Sequence, residues 1–350
     1  MGETRTSRQV VLARHVQGEP LVDDFRIETV ELDPPEDGEF LVRNFMISLD
    51  PGTRARLSGE ASYIPPLPLG GVLGSFNLGT VIESRHDGFP VGTVVSTTTG
   101  WCELARHKGR GFCLKLDHAA PPWSPWLGAL GVSGMTAWFG LHRVGGLKEG
   151  QTVVVTSAAG AVGSSAVQIA RLRGARVIAV AGGPEKCAWL RDVAGAERAI
   201  DYRSEDVAAA VAAAAPDGVD ILFDNVGNAM IEALLPAMAM HGRIVVSGQM
   251  DDYNRSGDRP APGISATRRF ITHRVRMEGL VVFDDLADWP DAQSCLRDWI
   301  ARGDFICRDE VLDGLEQAPA GFCGLFRGEN RGRRLVRIGP EPAGDGERRE

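Results

Sequence analysis

Phenols are scarce in this chain: of its 350 residues only Tyr63, Tyr202 and Tyr253 are tyrosines. A positioned phenol can hydrogen-bond a reacting oxygen or deliver a proton, so each position carries information. Tyr63 stands in "SYIPPLPLGG", which must be a loop because successive prolines cannot occupy a central strand. An aromatic there can line the mouth of a cleft. Tyr253 stands in "DDYNRSG", just beyond the apolar run "GRIVVSG". If that run is a parallel strand, Tyr253 follows its carboxyl end, where ligands of open α/β sheets collect. A tyrosine that packs or closes a turn is the alternative for both.

The second chemical signature is "VVVTSAAGAVGSSAVQIA", residues 153–170. In a G-x-G-x-x-G loop the first small residue turns strand into helix and the second lets the backbone approach a pyrophosphate. The third lets helix and strand pack closely. Ala158, Gly160 and Gly163 hold those places, with Ala161 and Val162 between the last two. Free backbone N–H groups and the helix dipole favour an anion at such a helix start. A ligand-free turn that merely packs a helix on a sheet would use the same residues, so the surrounding βαβ pattern decides for a dinucleotide. The end of the next strand decides which one. NAD sites usually place Asp or Glu there to accept from the ribose 2′-hydroxyl, whereas "VIAVAGGPEKCAWL" has Gly182 and Gly183, with Lys186 close behind. No acid repels a 2′-phosphate and an ammonium stands near, which favours NADP(H) provided that Glu185 faces away. A solvated helix lysine is the alternative for Lys186.

The elements that must position these residues fall into two styles. Up to residue 126 short apolar runs such as "FLVRNFMISL" and "GTVVSTTTGWCEL" are broken by Gly and Pro, which predicts a β-rich domain. From 127 to 298 strands and helices alternate. Strands are predicted at 153–157, 176–181, 199–202, 219–226, 242–248 and 275–283, with helices at 162–173, 185–194, 204–215, 228–239 and 290–302. That alternation predicts βαβ units on a doubly wound parallel sheet. Residues 299–339, including the strand-like "RRLVR", return to the first style and complete the β domain. The tail at 340–350 is almost devoid of apolar residues and reads as disordered.

Bulk properties exclude several classes. A net charge of −8 does not suit a nucleic-acid binder. No apolar run approaches the roughly 20 residues that span a bilayer. The start "MGETRTSRQVVLARH" lacks the apolar core of a signal peptide, and its nominal fit to a myristoylation pattern is too short to weigh. The six cysteines (Cys102, Cys113, Cys187, Cys295, Cys307 and Cys323) contain no C-x-x-C pair, so a reducing cytoplasm is expected.

Taken in order, "GVSGMTAWFGL", the 151–190 block around the glycine turn, "FDNVG", "GRIVVSGQMDDYN", "VRMEGLVVF" and "GLEQAPAGFCGLFRGENRGRRLV" resemble the zinc-independent medium-chain reductases. These comprise the prostaglandin reductases, leukotriene B4 dehydrogenases, plant alkenal double-bond reductases and bacterial curcumin reductases. The resemblance spans roughly residues 8–338 and implies an α/β protein in which a GroES-like β-rich catalytic domain accompanies a Rossmann domain. It also implies NADPH-dependent reduction of the C=C bond of α,β-unsaturated ketones and aldehydes, and a homodimer. Carried over by position, Gly160, Ala161, Val162 and Gly163 would hold the pyrophosphate, and Lys186 with Tyr202 would bind the 2′-phosphate. Asn225, Ser247, Gly248 and Tyr253 would reach the coenzyme, the backbone of Leu280, Val281 and Val282 would meet the nicotinamide amide, and Asn330 would close from the other domain. Tyr63 matches a tyrosine that approaches substrate in related reductases.

Zinc alcohol dehydrogenases share the superfamily, but a G-H-E segment is missing, and Cys102, His107 and Cys113 lack the expected ligand context. No metal is therefore expected. The reaction implied is hydride addition to the β carbon, followed by protonation of the enolate at the α carbon, with Tyr253 in the proton relay and Tyr63 at the substrate. Two departures bear on substrate. Where many relatives read D-P-Y-M-R, this chain has "DPGTR" (50–54), so a cleft aromatic is missing, and Thr272-His273 stands where many carry a tyrosine. The expectation is a wider or differently polar cleft, with His273 either a replacement donor or a solvated histidine. A quinone reductase of the same fold and a non-catalytic NADP-binding scaffold are the alternatives.

Overall fold

The computed structural model describes residues 4–60, 65–116, 122–255 and 262–342. The chain forms two compact units, Met1–Leu127 with Asp309–Glu350, and Gly128–Arg308. Tyr63 and the end of the tail at 343–350 lie outside the described residues.

The first unit opens with β1 (Arg5–Leu12) paired antiparallel with β2 (Phe25–Leu32). There follow β3 (Phe40–Ser48), β4 (Asn77–Ser84), β5 (Val94–Thr97), β6 (Leu104–His107) and β7 (Cys113–Lys115). The second unit contributes α1 (Val132–Phe139), β8 (Thr152–Val155), α2 (Ala161–Leu172), β9 (Arg176–Ala181), α3 (Pro184–Asp192), β10 (Arg198–Asp201) and α4 (Val207–Ala214). It continues with β11 (Val219–Asp224), α5 (Asn228–Leu234), β12 (Met238–Val246), α6 (Arg268–Thr272), β13 (Arg276–Gly279) and α7 (Trp289–Arg302). The chain then returns to the first unit with β14 (Asp309–Asp313), α8 (Ala318–Phe326) and β15 (Arg333–Arg337).

In the first unit β14, β15, β3, β4, β5 and β7 lie side by side, and β6 also pairs with β3. The returning segment is part of the core. Phe322 of α8 meets Trp101 edge-on at 5.6 Å and Phe25 at 5.9 Å, with Trp101 and Phe322 fully buried. The last helix therefore closes a core begun by the first strands.

In the second unit six parallel strands run in the order β10-β9-β8-β11-β12-β13. Val153, Val154 and Val155 of β8 and Ile221, Leu222 and Phe223 of β11 are all 0% exposed. Consecutive apolar residues suit a strand covered on both faces, so the doubly wound sheet expected from the sequence follows directly from this burial. Successive connections step outward from β8 on one side and from β11 on the other. The carboxyl ends of these two neighbours are thus the switch point at which an open sheet leaves a crevice.

Several boundaries differ from the sequence expectation. α5 stops at Leu234 rather than 239 because Pro236 cannot continue a helix, and β12 begins at Met238 instead of 242. α4 begins at Val207, not 204, because the Asp206 carboxylate caps it by accepting from Ala209 N at 3.1 Å. The strand expected at 275–283 shortens to β13, and 282–288 forms a 3-10 helix. α6 was not anticipated. The second boundary falls after Arg308 rather than at 298, since α7 runs unbroken to Arg302 and Ile306 is tied to α2 by two bonds with Gln168 (2.7 and 3.0 Å). Among the described residues no helix is long and apolar enough to cross a membrane.

Candidate functional site

The crevice is built where β8 and β11 end. After β8 the chain turns through Ser157, held at φ +47°, a left-handed conformation that costs a non-glycine residue about 1–3 kcal/mol. Ala158 N donates to Val180 O of β9 at 2.9 Å and Gly160 N to Ser157 O at 3.0 Å, which pins the turn. Gly160 is the residue before α2, and no side chain caps that helix. The N–H groups of Ala161, Val162 and Gly163 therefore have no acceptor within their own helix and form its positive end. Gly163 fills the packing role its spacing suggested: a Cβ there would sit 2.3 Å from Ser157 O. These residues fit a pyrophosphate, which needs backbone donors and close approach rather than bulky side chains.

One carboxylate ties the neighbouring strand ends together. Asp224, the last residue of β11 and fully buried, accepts from Thr156 Oγ1 at 2.7 Å and from Gly227 N at 2.8 Å. Its carbonyl accepts from Ser247 N at 2.8 Å and Gly248 N at 3.2 Å. Burial pushes its carboxyl up to about 6, although these donors oppose the rise. Asn225 donates its backbone N–H to Thr156 Oγ1 (2.9 Å) and its side-chain Nδ2 to Thr156 O (2.8 Å). Asn225, Ser247 and Gly248 thus line one edge. Sequence reasoning missed Asp224 and Thr156, because what distinguishes them is burial, not residue type.

A second cluster surrounds the turn after β9. Gly183 takes φ +94° and opens α3 with Pro184 behind it, and Lys186 lies half-buried in the first turn. Asp201, at the end of β10, accepts from Gly183 N at 2.8 Å and Arg203 N at 3.0 Å, which holds its carboxyl below the usual range. The Tyr202 ring covers Gly182, where a Cβ would come within 2.8 Å of Oη. Arg203, which sequence reasoning missed although it directly follows Tyr202, has its guanidinium carbon 6.0 Å from that ring, and a Cβ on Gly183 would lie 3.9 Å from its Nη1. The double-glycine turn is thus bordered by Lys186, Tyr202 and Arg203, a donor set that fits a phosphate dianion.

The remaining expected residues are dispersed. Tyr253 is half-buried in the turn after β12, its N–H donating to Gln249 O at 3.3 Å beside the Asp252–Arg255 pair at 2.8 Å. Leu280 N donates to Val246 O at 3.2 Å; Val281 is exposed and Val282 buried. In the first unit Asn330 donates Nδ2 to Gly332 O at 2.9 Å, which closes the turn before β15. In the "DPGTR" segment Arg54 is buried and donates to Val16 O and Gly18 O, so it anchors a loop. His273 precedes β13, at the amino end of the sheet and opposite the crevice, with Nδ1 3.0 Å from Thr272 Oγ1. That position removes it as a replacement donor. Cys102 is buried beside Asn44 and Thr99, and the His107 ring packs 5.4 Å from that of Phe40. Among the described residues no three His, Cys, Asp or Glu side chains form a metal-binding group.

Against known proteins, the family model for the N-terminal domain of oxidoreductases matches residues 8–114, and the model described as zinc-binding dehydrogenase matches 161–298. The chain is 36% identical over 345 residues to the NADPH-dependent curcumin reductase of Escherichia coli, covering 97% of this chain and 99% of the relative. It belongs to the curcumin and alkenal reductase family. Within that family it is 35% identical to the NADP-dependent 2-alkenal reductase of Nicotiana tabacum, over 97% of this chain and 100% of the relative. CurA of Vibrio vulnificus, solved in complex with NADPH, superposes with a TM-score of 0.90 at 35% identity, over 95% of this chain and all of that one (100%).

Because the Asp201 pKa is depressed in the folded state, the stability it contributes is present above the unfolded value of about 3.9 and is lost as pH falls through the folded one. Asp201→Ala should lower the melting temperature at neutral pH, and its deficit relative to wild type should shrink below about pH 4. Parallel thermal melts across pH check this; a deficit independent of pH would contradict it.

Proposed function

We propose that this protein is a zinc-independent, NADPH-dependent reductase of the C=C bond of α,β-unsaturated ketones and aldehydes. The observation that carries the coenzyme assignment is the Gly182-Gly183 turn bordered by Lys186, Tyr202 and Arg203, with no acid at the end of β9. The reaction class rests on near full-length kinship with proteins named as a curcumin reductase and a 2-alkenal reductase. In this reading the N–H groups of Ala161, Val162 and Gly163 bind the pyrophosphate, and Lys186 and Tyr202 bind the 2′-phosphate. Asn225, Ser247 and Gly248 orient the coenzyme along the crevice, and the backbone of Leu280, Val281 and Val282 receives the nicotinamide amide. Asn330 and Tyr63 keep the roles that the family resemblance implies. Bound NADPH supplies hydride to an electron-poor alkene; the protein supplies orientation, a dry cleft and hydrogen bonds to the enolate oxygen. Tyr253 Oη serves the proton relay to the α carbon.

Purified protein should oxidise NADPH with 3-nonen-2-one and with a dicarbonyl dienone faster than with a naphthoquinone. The reverse order would indicate a quinone reductase, and no oxidation with any of them a scaffold. Lys186→Ala should weaken NADPH far more than NADH, by about 10-fold or more for a lost charge-assisted contact; equal losses would sink the 2′-phosphate assignment. Tyr253→Phe should lower kcat while the melting temperature holds, and an unchanged kcat would take the phenol out of the relay.

The same reading includes a homodimer in the cytoplasm. Cys102, Cys113, Cys187, Cys295 and Cys323 are free thiols, which suits a reducing compartment. Among the described residues β13 pairs with β12 alone, and Arg276, Met277, Glu278 and Gly279 are all exposed. Antiparallel pairing of this edge with itself about Met277 would set Arg276 of one copy opposite Glu278 of the other, a self-complementary isologous contact. Arg276→Glu should shift the protein toward monomer in light scattering, and adding Glu278→Arg should restore the dimer. A dimer indifferent to both changes would put the contact elsewhere.

A further inference from the structure

The Asp224 carboxylate is unusual for its position. It is fully buried, its partners are hydrogen-bond donors, and no ion pair reaches it among the described residues. Through its side chain and its carbonyl it joins the ends of β8, β11 and β12: Thr156 after β8, Gly227 after β11, and Ser247 and Gly248 after β12. An ionised carboxylate can only accept. Thr156 Oγ1 must therefore turn its hydrogen toward Asp224 and its lone pairs toward the Asn225 N–H, which lies 2.9 Å away. Direction thus passes from a buried charge, through one hydroxyl, to the residue that follows β11.

Resting on the NADPH reading above, we propose that Asp224 is a positioning residue that acts through Thr156 to hold Asn225 and the Ser247–Gly248 turn in the arrangement that receives the coenzyme. A protonated Asp224 would bring its own hydrogen to one oxygen. Thr156 would then donate to a neutral carboxyl group, a weaker acceptor that can also turn its own O–H toward Thr156 Oγ1, and the fixed direction at Asn225 would be loosened with it.

Stability and binding respond in opposite directions. A folded pKa raised by burial to about 6 means that the stability contributed by this group is full below its unfolded value and is lost as pH rises through 6. The ionised form is a burden on the fold at neutral pH. Asp251, in the turn after β12, adds to the rise through its negative charge and is itself shifted upward, with Arg255 and Asp252 around it. No histidine, lysine or arginine contributes to the shift at Asp224. A carboxylate kept only for packing would therefore be replaced by Asn at no loss.

The test is calorimetric titration of the apoprotein with NADP+ between about pH 5 and pH 8, together with thermal melts, for wild type, Asp224→Asn, Thr156→Val and Thr156→Ser. Asp224→Asn is expected to bind about tenfold more weakly at the alkaline end, with its melting temperature unchanged or raised. Wild type is expected to lose about a further tenfold on acidification that the variant does not lose. The coenzyme's own phosphate titrates in the same range, so the difference between the two proteins is the readout. Thr156→Ser should keep wild-type affinity and Thr156→Val should match Asp224→Asn; this pair decides the matter if Asp224→Asn does not fold. Wild-type affinity in Asp224→Asn, coincident pH slopes, or failure of Thr156→Ser to retain binding would each overturn the proposal. Absence of NADP+ binding by wild type itself would overturn the coenzyme reading beneath it.

Discussion

Two neighbouring parallel strands that send their chains to opposite sides of a sheet leave their carboxyl ends with nothing above them, and something must keep those ends level. Here it is the contact between Thr156 Oγ1 and Asp224, a hydrogen bond to a buried acceptor that draws the last residues of β8 and β11 together. A charge-assisted bond of this kind is worth about 1.5–3 kcal/mol, and here it offsets only part of the cost of burying the charge, so it orders the strand ends without stabilising the fold. The glycine turn, the open end of α2, Asn225 and the turn after β12 all take their positions from strand ends fixed in this way.

The same edge also shows how a binding surface is made from local disadvantages. Ser157 is held in a left-handed conformation, α2 starts without a side-chain cap, and an acid is buried with no cation beside it among the described residues. Each is unfavourable by itself, and natural sequences concentrate such violations where a ligand later satisfies them. The strands beneath, with unbroken runs of fully buried Val, Ile, Leu and Phe, provide the rigidity that makes those violations tolerable.

What could be read in the sequence follows from how locally each feature is determined. The strands of the second unit were legible because a doubly covered parallel strand writes itself as consecutive apolar residues, and the glycine turn because each of its positions excludes a side chain for a separate steric reason. Ends that depend on a single proline or cap, as at Pro236 and Asp206, lie a few residues from where apolar periodicity puts them, because periodicity does not mark where a helix stops. Gly160, Gly163 and Lys186 stand out by type and spacing, and Tyr202 only through the family resemblance. Arg203 was passed over because an arginine after a tyrosine is unremarkable until the ring is seen lying on Gly182. Asp224 was read only as part of a motif, since its character arises from what surrounds it.

The mutual packing of Phe322, Trp101 and Phe25 has a temporal consequence. Gly128–Arg308 is a continuous stretch that can fold as it is synthesised, whereas the β-rich unit is made of two separate segments and lacks α8 until the stretch between them is complete. During that interval the part of the Trp101 cluster that Phe322 packs against is uncovered. A message truncated before residue 318 would yield a well-formed nucleotide unit attached to a permanently sticky, half-built partner.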